Sequence, residues 1–304
     1  MKAPTVTTHT TIEASDKGYP RRLAATGFDA PLYAMGDIDL NRRHVVAIVG
    51  TRSATIYALE FINRLVADLA SRLDDLLIVS GLAVGCDAMA HRAALEAKIP
   101  TVGVLAHGLD TLYPQQNRQL ATRMCAGKGG GLLTQFACGS RMYRGNFLTR
   151  NKIIAAISDC VIVAESAADH GGALHTARYA HSIGREVFAV PGRVGDTYSA
   201  GCNMLIDQGT AKILTSADRL LATMRWTAKQ AAVVTPSLFD NIPTGPAADI
   251  IAFLNANGGQ ETIDSISAAT GLATGQLLAL LIDMEFDGHI SALPGNRYRL
   301  NSVK

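Results

Sequence analysis

The sequence predicts an α/β fold: a Rossmann-like, doubly wound and mostly parallel sheet, followed by a small C-terminal winged-helix domain. Three observations carry this. Between residues 45 and 222, short apolar runs alternate with amphipathic stretches, as strands and their covering helices do in a parallel sheet. Several of those runs end directly on glycine. After a break rich in proline and glycine come three short helical patterns and a hairpin.

Residues 1 to 44 are the least regular. Tyr19-Pro20 and Pro31-Leu32-Tyr33 suggest a short extended lead-in. The sheet domain, residues 45 to 224, has candidate strands Val45 to Val49, Leu77 to Ser80, Thr101 to Leu105, Leu132 to Gln135, Cys160 to Ala164, Glu186 to Val190 and Lys212 to Leu214. Between them, Leu59, Ile62, Leu65, Val66 and Leu69 share one face of a helix over Tyr57 to Arg72, and Ala88 to Ala97 and Leu174 to Ile183 read similarly. The strand ends Val49-Gly50, Ser80-Gly81 and Pro191-Gly192 let a backbone come close, and in such sheets ligands collect beyond the carboxyl ends of the strands. Residues 225 to 246 collect Pro236, Pro243, Gly245 and Pro246 and read as a linker. Residues 247 to 304 then give helices around Ile250 and Leu254, over Ile263 to Thr270 and over Leu277 to Glu285. A hairpin follows, Ile290 to Leu293 and Tyr298 to Leu300, turning at Pro294-Gly295-Asn296.

Composition narrows the class. The 304 residues are 48% hydrophobic, enough for a packed core, yet no apolar run approaches the roughly 20 residues of a membrane helix, and the start lacks a signal-like apolar region. A cytosolic protein without membrane contact is expected. Five scattered cysteines, never paired as Cys-x-x-Cys, suggest reduced and mostly buried thiols, and the eight histidines show no metal-ligand spacing, so neither metal nor cofactor is predicted. The net charge of +2 is small but uneven. Residues 247 to 304 hold six carboxylates against Arg297, Arg299 and Lys304, a net −3, which leaves +5 on the rest of the chain. An acidic wing domain is repelled by phosphates, so it is expected to bind a protein or to pack on its own chain, while nucleic acid goes to the sheet domain.

The most one-sided segment is Arg141 to Lys152, with four cations, two aromatic rings and no carboxylate. Cations along a groove neutralise phosphates while interleaved rings stack with bases, the manner in which single strands are held without sequence readout. A solvated basic loop with Phe147 turned back to the core is the plainer alternative. Two other patterns are equally double-sided. Asp87 and His91, one helical turn apart, suggest an acid/base pair or a carboxylate that satisfies amides near a helix start. Gly171-Gly172 ahead of an apolar helix suits an anion or close helix packing, and His175 and Thr176 beside it could touch phosphate or cap the helix.

In order along the chain stand Val49-Gly50-Thr51-Arg52-Ser53, Ser80-Gly81-Leu82-Ala83-Val84-Gly85-Cys86-Asp87, Gly108-Leu109-Asp110 with Tyr113-Pro114, and Phe147-Leu148-Thr149-Arg150-Asn151-Lys152. Gly171-Gly172-Ala173-Leu174-His175-Thr176, Val190-Pro191-Gly192 and Gly201-Cys202-Asn203 complete the series. This succession resembles the bacterial DNA-processing protein A family, DprA or Smf, over roughly residues 19 to 222. Residues 247 to 300 resemble that family's winged-helix module. The resemblance implies a single-stranded DNA binder that protects incoming DNA and loads the recombinase RecA during natural transformation, working as a homodimer joined through the later part of the sheet domain. Carried over by residue, it places Arg52 and Arg150 on phosphates, Phe147 against a base and Lys152 as a further cation, with Gly50, Ser53, Asn151, Gly172, His175 and Thr176 around them. The chain departs from the family pattern at Lys152, usually arginine, at Thr134-Gln135, usually Ser-Glu, at Cys86, usually isoleucine, and at Gly171, usually serine.

The rival reading is an enzyme, a nucleotide-binding Rossmann-like phosphoribohydrolase of the lysine-decarboxylase-like type. It requires Pro-Gly-Gly-x-Gly-Thr with a glutamate one turn on. This chain has Pro191-Gly192-Arg193, and after Gly171-Gly172 no glutamate before Glu186, so no catalytic residue is predicted.

Overall fold

The computed structural model describes residues 9–168, 171–229, 245–286 and 289–301. They belong to two compact units, Met1–Ala232 and Val233–Lys304. The first unit runs through β1 (Thr10–Ile12), α1 (Arg21–Ala24), β2 (Leu32–Ile38), β3 (His44–Val49), α2 (Ile56–Arg72), β4 (Leu76–Ser80), α3 (Cys86–Glu96) and β5 (Thr101–Val104). It continues through α4 (Arg118–Ala126), β6 (Lys128–Gly129), β7 (Gly131–Thr134), α5 (Arg144–Ile157), β8 (Cys160–Val163), α6 (Gly172–Ser182), β9 (Glu186–Ala189), α7 (Ala200–Asp207), β10 (Lys212–Ile213) and α8 (Ala217–Met224).

One sheet organises this unit, in the order β1-β2-β7-β5-β4-β3-β8-β9-β10 with β6 beside β2. From β7 to β10 every neighbouring pair is parallel. The strands β3, β4 and β8 are apolar and buried along most of their length because helices cover both faces. Alternation does the sorting: Val45, Ala47 and Val49 point into one core with Ile153, Ile154 and Leu174, while Val46 and Ile48 point into the other with Phe61, Leu65 and Phe188. The chain winds from β3 to β4 and β5 in one direction and later to β8 and β9 in the other. The crevice of this switch therefore opens between the ends of β3 and β8, where such folds take ligands.

Residues 10 to 38 differ from the expected extended lead-in. They add two strands to the sheet, β2 antiparallel to β7 and β1 antiparallel to β2. Tyr19 and Leu23 are buried in the core, and Arg22 grips Asp159 through Nε and Nη2 at 2.6 and 2.9 Å. Asp159 also accepts from the Val45 amide at 2.8 Å, which ties this segment to the foot of β3. Helices α4, α7 and α8, not singled out in the sequence, close the sheet's flanks.

Most of the expected linker, residues 230 to 244, lies outside the described residues. Its first part is not free: the Trp226 ring lies 4.5 Å from His44, the Lys229 amide donates to the Arg72 carbonyl, and the Lys229 ammonium meets Asp74 at 2.8 Å. In the second unit, α9 (Pro246–Ala256), β11 (Gln260–Thr262), α10 (Ile263–Thr270), α11 (Thr274–Phe286), β12 (Ile290–Leu293) and β13 (Arg297–Leu300) form a winged helix around Ile250, Leu254, Ile266, Leu277 and Leu281. Thr262 caps α10 through its hydroxyl and Gly271 ends it at φ +69°, as a left-handed terminator should. The hairpin turns through positive φ at Gly295 and Asn296.

Candidate functional site

The basic segment is a loop only as far as Tyr143; from Arg144 it is the first turns of α5. Asn146 fixes that start, its amide nitrogen donating to the carbonyls of Ala106 and Arg141. The rest of α5, from Ile153 to Ile157, is buried all round, so the helix runs from an exposed basic end into the core. Phe147 and Arg150, three residues apart, share a face at the exposed end.

There the side chains converge. Arg52 from the loop after β3, Gly81 and Ala83 after β4, His107 and Tyr113 after β5, and Phe147 and Arg150 from α5 line one cleft beyond the carboxyl ends of the strands. The Arg52 guanidinium lies 5.9 Å from the centre of the Phe147 ring and that of Arg150 5.8 Å, both within cation–π reach, and Tyr113 meets Phe147 edge-on at 6.3 Å. Arg52 is exposed, Phe147 half-buried and Arg150 buried. The free space enclosed is only about 40 Å³.

Arg150 forms the floor. Its Nη1 donates to the carbonyls of Gly81 and Val104, the second at 2.8 Å, and its Nε donates to Asn151 at 2.9 Å. Burial pulls the pKa of this guanidinium down while the charge of Asp87 holds it up. Asp87 is itself buried, which raises its carboxyl above the usual range; Arg150 and the amides of Ala83 and Gly81 act against that. Of the two readings of Asp87 and His91, the structure keeps the structural one for Asp87, which takes the amides ahead of α3. His91 is turned to Thr101, Nδ1 to Oγ1 at 2.6 Å. Because that hydroxyl donates to the Ile78 carbonyl, His91 Nδ1 carries the proton and Nε2 is left buried without a partner.

The expected site residues fall into two groups. Gly50, Arg52, Ser53, Phe147 and Arg150 gather at the ends of β3 and α5. Gly50 serves packing, since a Cβ there would sit 2.5 Å from the Cys86 sulfur. Gly85 is at φ +79° with the Thr51 carbonyl pressed against it, and so holds the Arg52 loop in place. Asn151, Lys152, Gly172, His175 and Thr176 lie where α5 meets α6. Asn151 donates to the Gly172 carbonyl at 3.1 Å, and Lys152, exposed, lies 5.6 Å from the Tyr179 ring, away from Phe147's cleft. The Thr176 hydroxyl neither caps α6 nor faces solvent; it is buried and donates to the Gly172 carbonyl at 3.0 Å. His175 is exposed. Tyr113 and His107 were not anticipated as lining residues. The buried imidazole accepts the Tyr113 amide at 3.2 Å and so aims that residue, and only the Tyr113-Pro114 pair beside Gly108-Leu109-Asp110 signals it in the sequence.

Among the described residues no group of three or more His, Cys, Asp or Glu is placed to hold a metal ion, and no single helix is long and apolar enough to cross a membrane. Of the cysteines, Cys86, Cys160 and Cys202 are buried, Cys125 is half-buried and Cys138 exposed. Burial pushes the Cys202 thiol up to about 12 and the Cys125 thiol to about 11.

Comparison with known proteins decides the family. Residues 10–225 match the family model described as DNA recombination-mediator protein A, and residues 241–296 that of the DprA winged helix domain. The chain belongs to the DprA/Smf family. It is 32% identical to Protein Smf of Escherichia coli K12 over 299 residues, covering 96% of this chain and 78% of that protein. It is 39% identical to the DNA processing protein DprA of Bacillus subtilis 168 over 211 residues, 68% of this chain and 69% of that one. The solved DprA of Streptococcus pneumoniae superimposes with a TM-score of 0.64 at 36% identity, covering 70% and 73% of the two chains. The Helicobacter pylori DprA, whose structure was described for its single-stranded DNA binding mode, gives 0.62 at 29% identity over 71% and 95%. DprA/Smf membership gives this chain a DNA recombination-mediator role.

Proposed function

We propose that this DprA/Smf chain binds single-stranded DNA across the Phe147 cleft without catalysing a reaction on it, protects the strand, and loads the recombinase RecA, as a homodimer serving natural transformation. The observation that carries the DNA reading is the half-buried Phe147 ring with the exposed Arg52 guanidinium 5.9 Å from its centre and Tyr113 at its edge. An exposed cation for a phosphate beside a ring for a base is the combination by which proteins hold single strands, and a base stacked on such a ring contributes about 1–3 kcal/mol. A slot of about 40 Å³ has no room to enclose a base and read its edges, which favours sequence-tolerant binding. The single-stranded DNA binding mode described for the Helicobacter pylori DprA supports single strands as the ligand, and the family's recombination-mediator role supports the hand-over to a recombinase.

The test is titration with a labelled poly-dT oligonucleotide across a salt series beside a duplex of equal length. Preference for the single strand, with affinity falling as salt rises, is expected. Equal affinity for duplex, or a flat salt response, overturns the reading. RecA filament growth on the same strand, with and without the protein, tests the loading step.

A further inference from the structure

A second, larger cleft opens on the other side of the Arg52 loop. It encloses about 750 Å³ between the start of α2 and the loop joining β9 to α7, and is lined by Thr55, Tyr57, Glu165, Arg193, Asp196 and Tyr198 among others. Its position is that of the switch crevice, beyond the ends of β3, β8 and β9. Thr55 lies three residues after Arg52, so the two clefts are separated by at most about 11 Å of chain.

The walls are preformed. Tyr57 donates its hydroxyl to the Pro191 carbonyl at 2.9 Å, the side chain of Asn203 holds both the amide and the carbonyl of Gly192, and the Ser166 amide donates to the Tyr198 carbonyl at 2.7 Å. Glu165 is 4% exposed and both its oxygens are taken by Thr55, from the amide at 2.9 Å and the hydroxyl at 2.8 Å. The deep wall is therefore a satisfied acid, unfit to cradle a phosphate. The rim is different. The rings of Tyr57 and Tyr198 stand 50% and 37% exposed, Val194 beside them 99%, and Arg193 is exposed. Two tyrosine rings in the lining, with the exposed Arg193 set beside an exposed Asp196, suit a nucleoside whose phosphate stays at the mouth on the arginine, and the volume lies within the roughly 300–1,000 Å³ of small-molecule pockets.

We infer that this cleft is a second nucleotide subsite, in which Tyr57 and Tyr198 take a base of the same strand whose neighbouring nucleotide lies on Phe147, with Arg193 on the intervening backbone. The inference rests on the single-strand reading above and extends it across the Arg52 loop.

The double substitution Tyr198→Ala with Arg193→Ala tests it, since neither side chain lines the Phe147 cleft. Oligo-dT of about 4 and about 16 nucleotides spans the range of single-strand site sizes. Because adjacent nucleotides span the two subsites, both strands are expected to lose affinity by about 5- to 150-fold with the salt slope reduced by about one, while the melting temperature holds. A strand carrying 4-thiothymidine, irradiated on the wild-type protein, is expected to give adducts at Tyr57 or Tyr198. Unchanged affinity for the long strand, with adducts confined to the Phe147 cleft, overturns the inference and leaves the single-strand reading standing. Unchanged affinity with a shift in self-association on sedimentation also overturns it and assigns the cleft to a protein contact. A wild-type protein that binds neither oligonucleotide removes the single-strand reading itself.

Discussion

Arg150 and Asn151 are joined side chain to side chain, Nε to Oδ1 at 2.9 Å, and Asn151 passes the connection on to the Gly172 carbonyl at 3.1 Å. With the Gly81 and Val104 carbonyls on its other end, Arg150 links the ends of β4 and β5 to the first residue of α6. A positive charge lies under Phe147 as part of the framework.

Arg150→Met should therefore lower stability before it touches binding. Two carbonyls and the Asn151 side chain lose their donor, and the buried Asp87 loses its compensating charge, at a cost of about 2–5 kcal/mol. Thermal melting is expected to show a drop of several degrees or more. Arg150→Lys should recover little of it, because one ammonium cannot reproduce the planar fork.

Arg52→Ala and Phe147→Ala should separate charge from stacking. Removing Arg52 is expected to weaken single-strand binding and to reduce the slope of log affinity against log salt by about one. Removing the ring should weaken binding by about 1–3 kcal/mol with the slope unchanged. Filter binding at four or five salt concentrations distinguishes them.

His91 should make the fold acid-sensitive. Burial, helped by the charge of Arg150, lowers its pKa from 6.5 to about 3. Between those values the unfolded chain holds a proton that the folded chain refuses, so stability present above about pH 6.5 is lost progressively as the pH falls toward 3. His44, lowered by burial and by Arg43, acts in the same direction, whereas the raised Asp87 acts in the opposite one. Comparison with His91→Gln isolates the effect: the melting temperature of the wild type should fall more steeply than that of the variant between pH 7 and pH 5.

A chain ending at Ala232 should fold and retain its single-strand affinity. Trp226 and Lys229 are already packed on the first unit, and the segment removed carries net negative charge. Cooperative melting together with a loss of most binding would return a DNA role to the winged helix.

The parallel strands were legible because wholly apolar runs such as Val45 to Val49 leave no other environment open to them, and the wing's second helix was bounded at both ends by Thr262 and Gly271. The N-terminal strands were not. In β2, Gly36 and Asp37 interrupt the apolar pattern, and its partner β7 lies far along the sequence, so nothing local marks it as part of the sheet. The helical start of α5 was hidden for a related reason: Gly145 and Asn146 are weak helix formers, and what holds them is the long-range bond from Asn146 to Ala106. At the site, Arg52 and Phe147 stood out by charge and ring. Tyr113 did not, because its orientation depends on His107, a contact across a turn that no residue pattern displays.

The pairing of Ala34 with Leu133 has a consequence for how the molecule is made. During synthesis β1 and β2 emerge before the other strands of this sheet, yet the edge they complete cannot close until β7 has left the ribosome. Residues 10 to 38 must wait, while the central strands β3, β4 and β5 are already available to one another. Pairing across so long a stretch of chain closes slowly and leaves an open strand edge in the interval. Strands β1 and β2, translated ahead of the central strands, thus join the sheet only after β3, β4 and β5 can pair, and the nascent chain is exposed to mispairing along residues 10 to 38 in the interval.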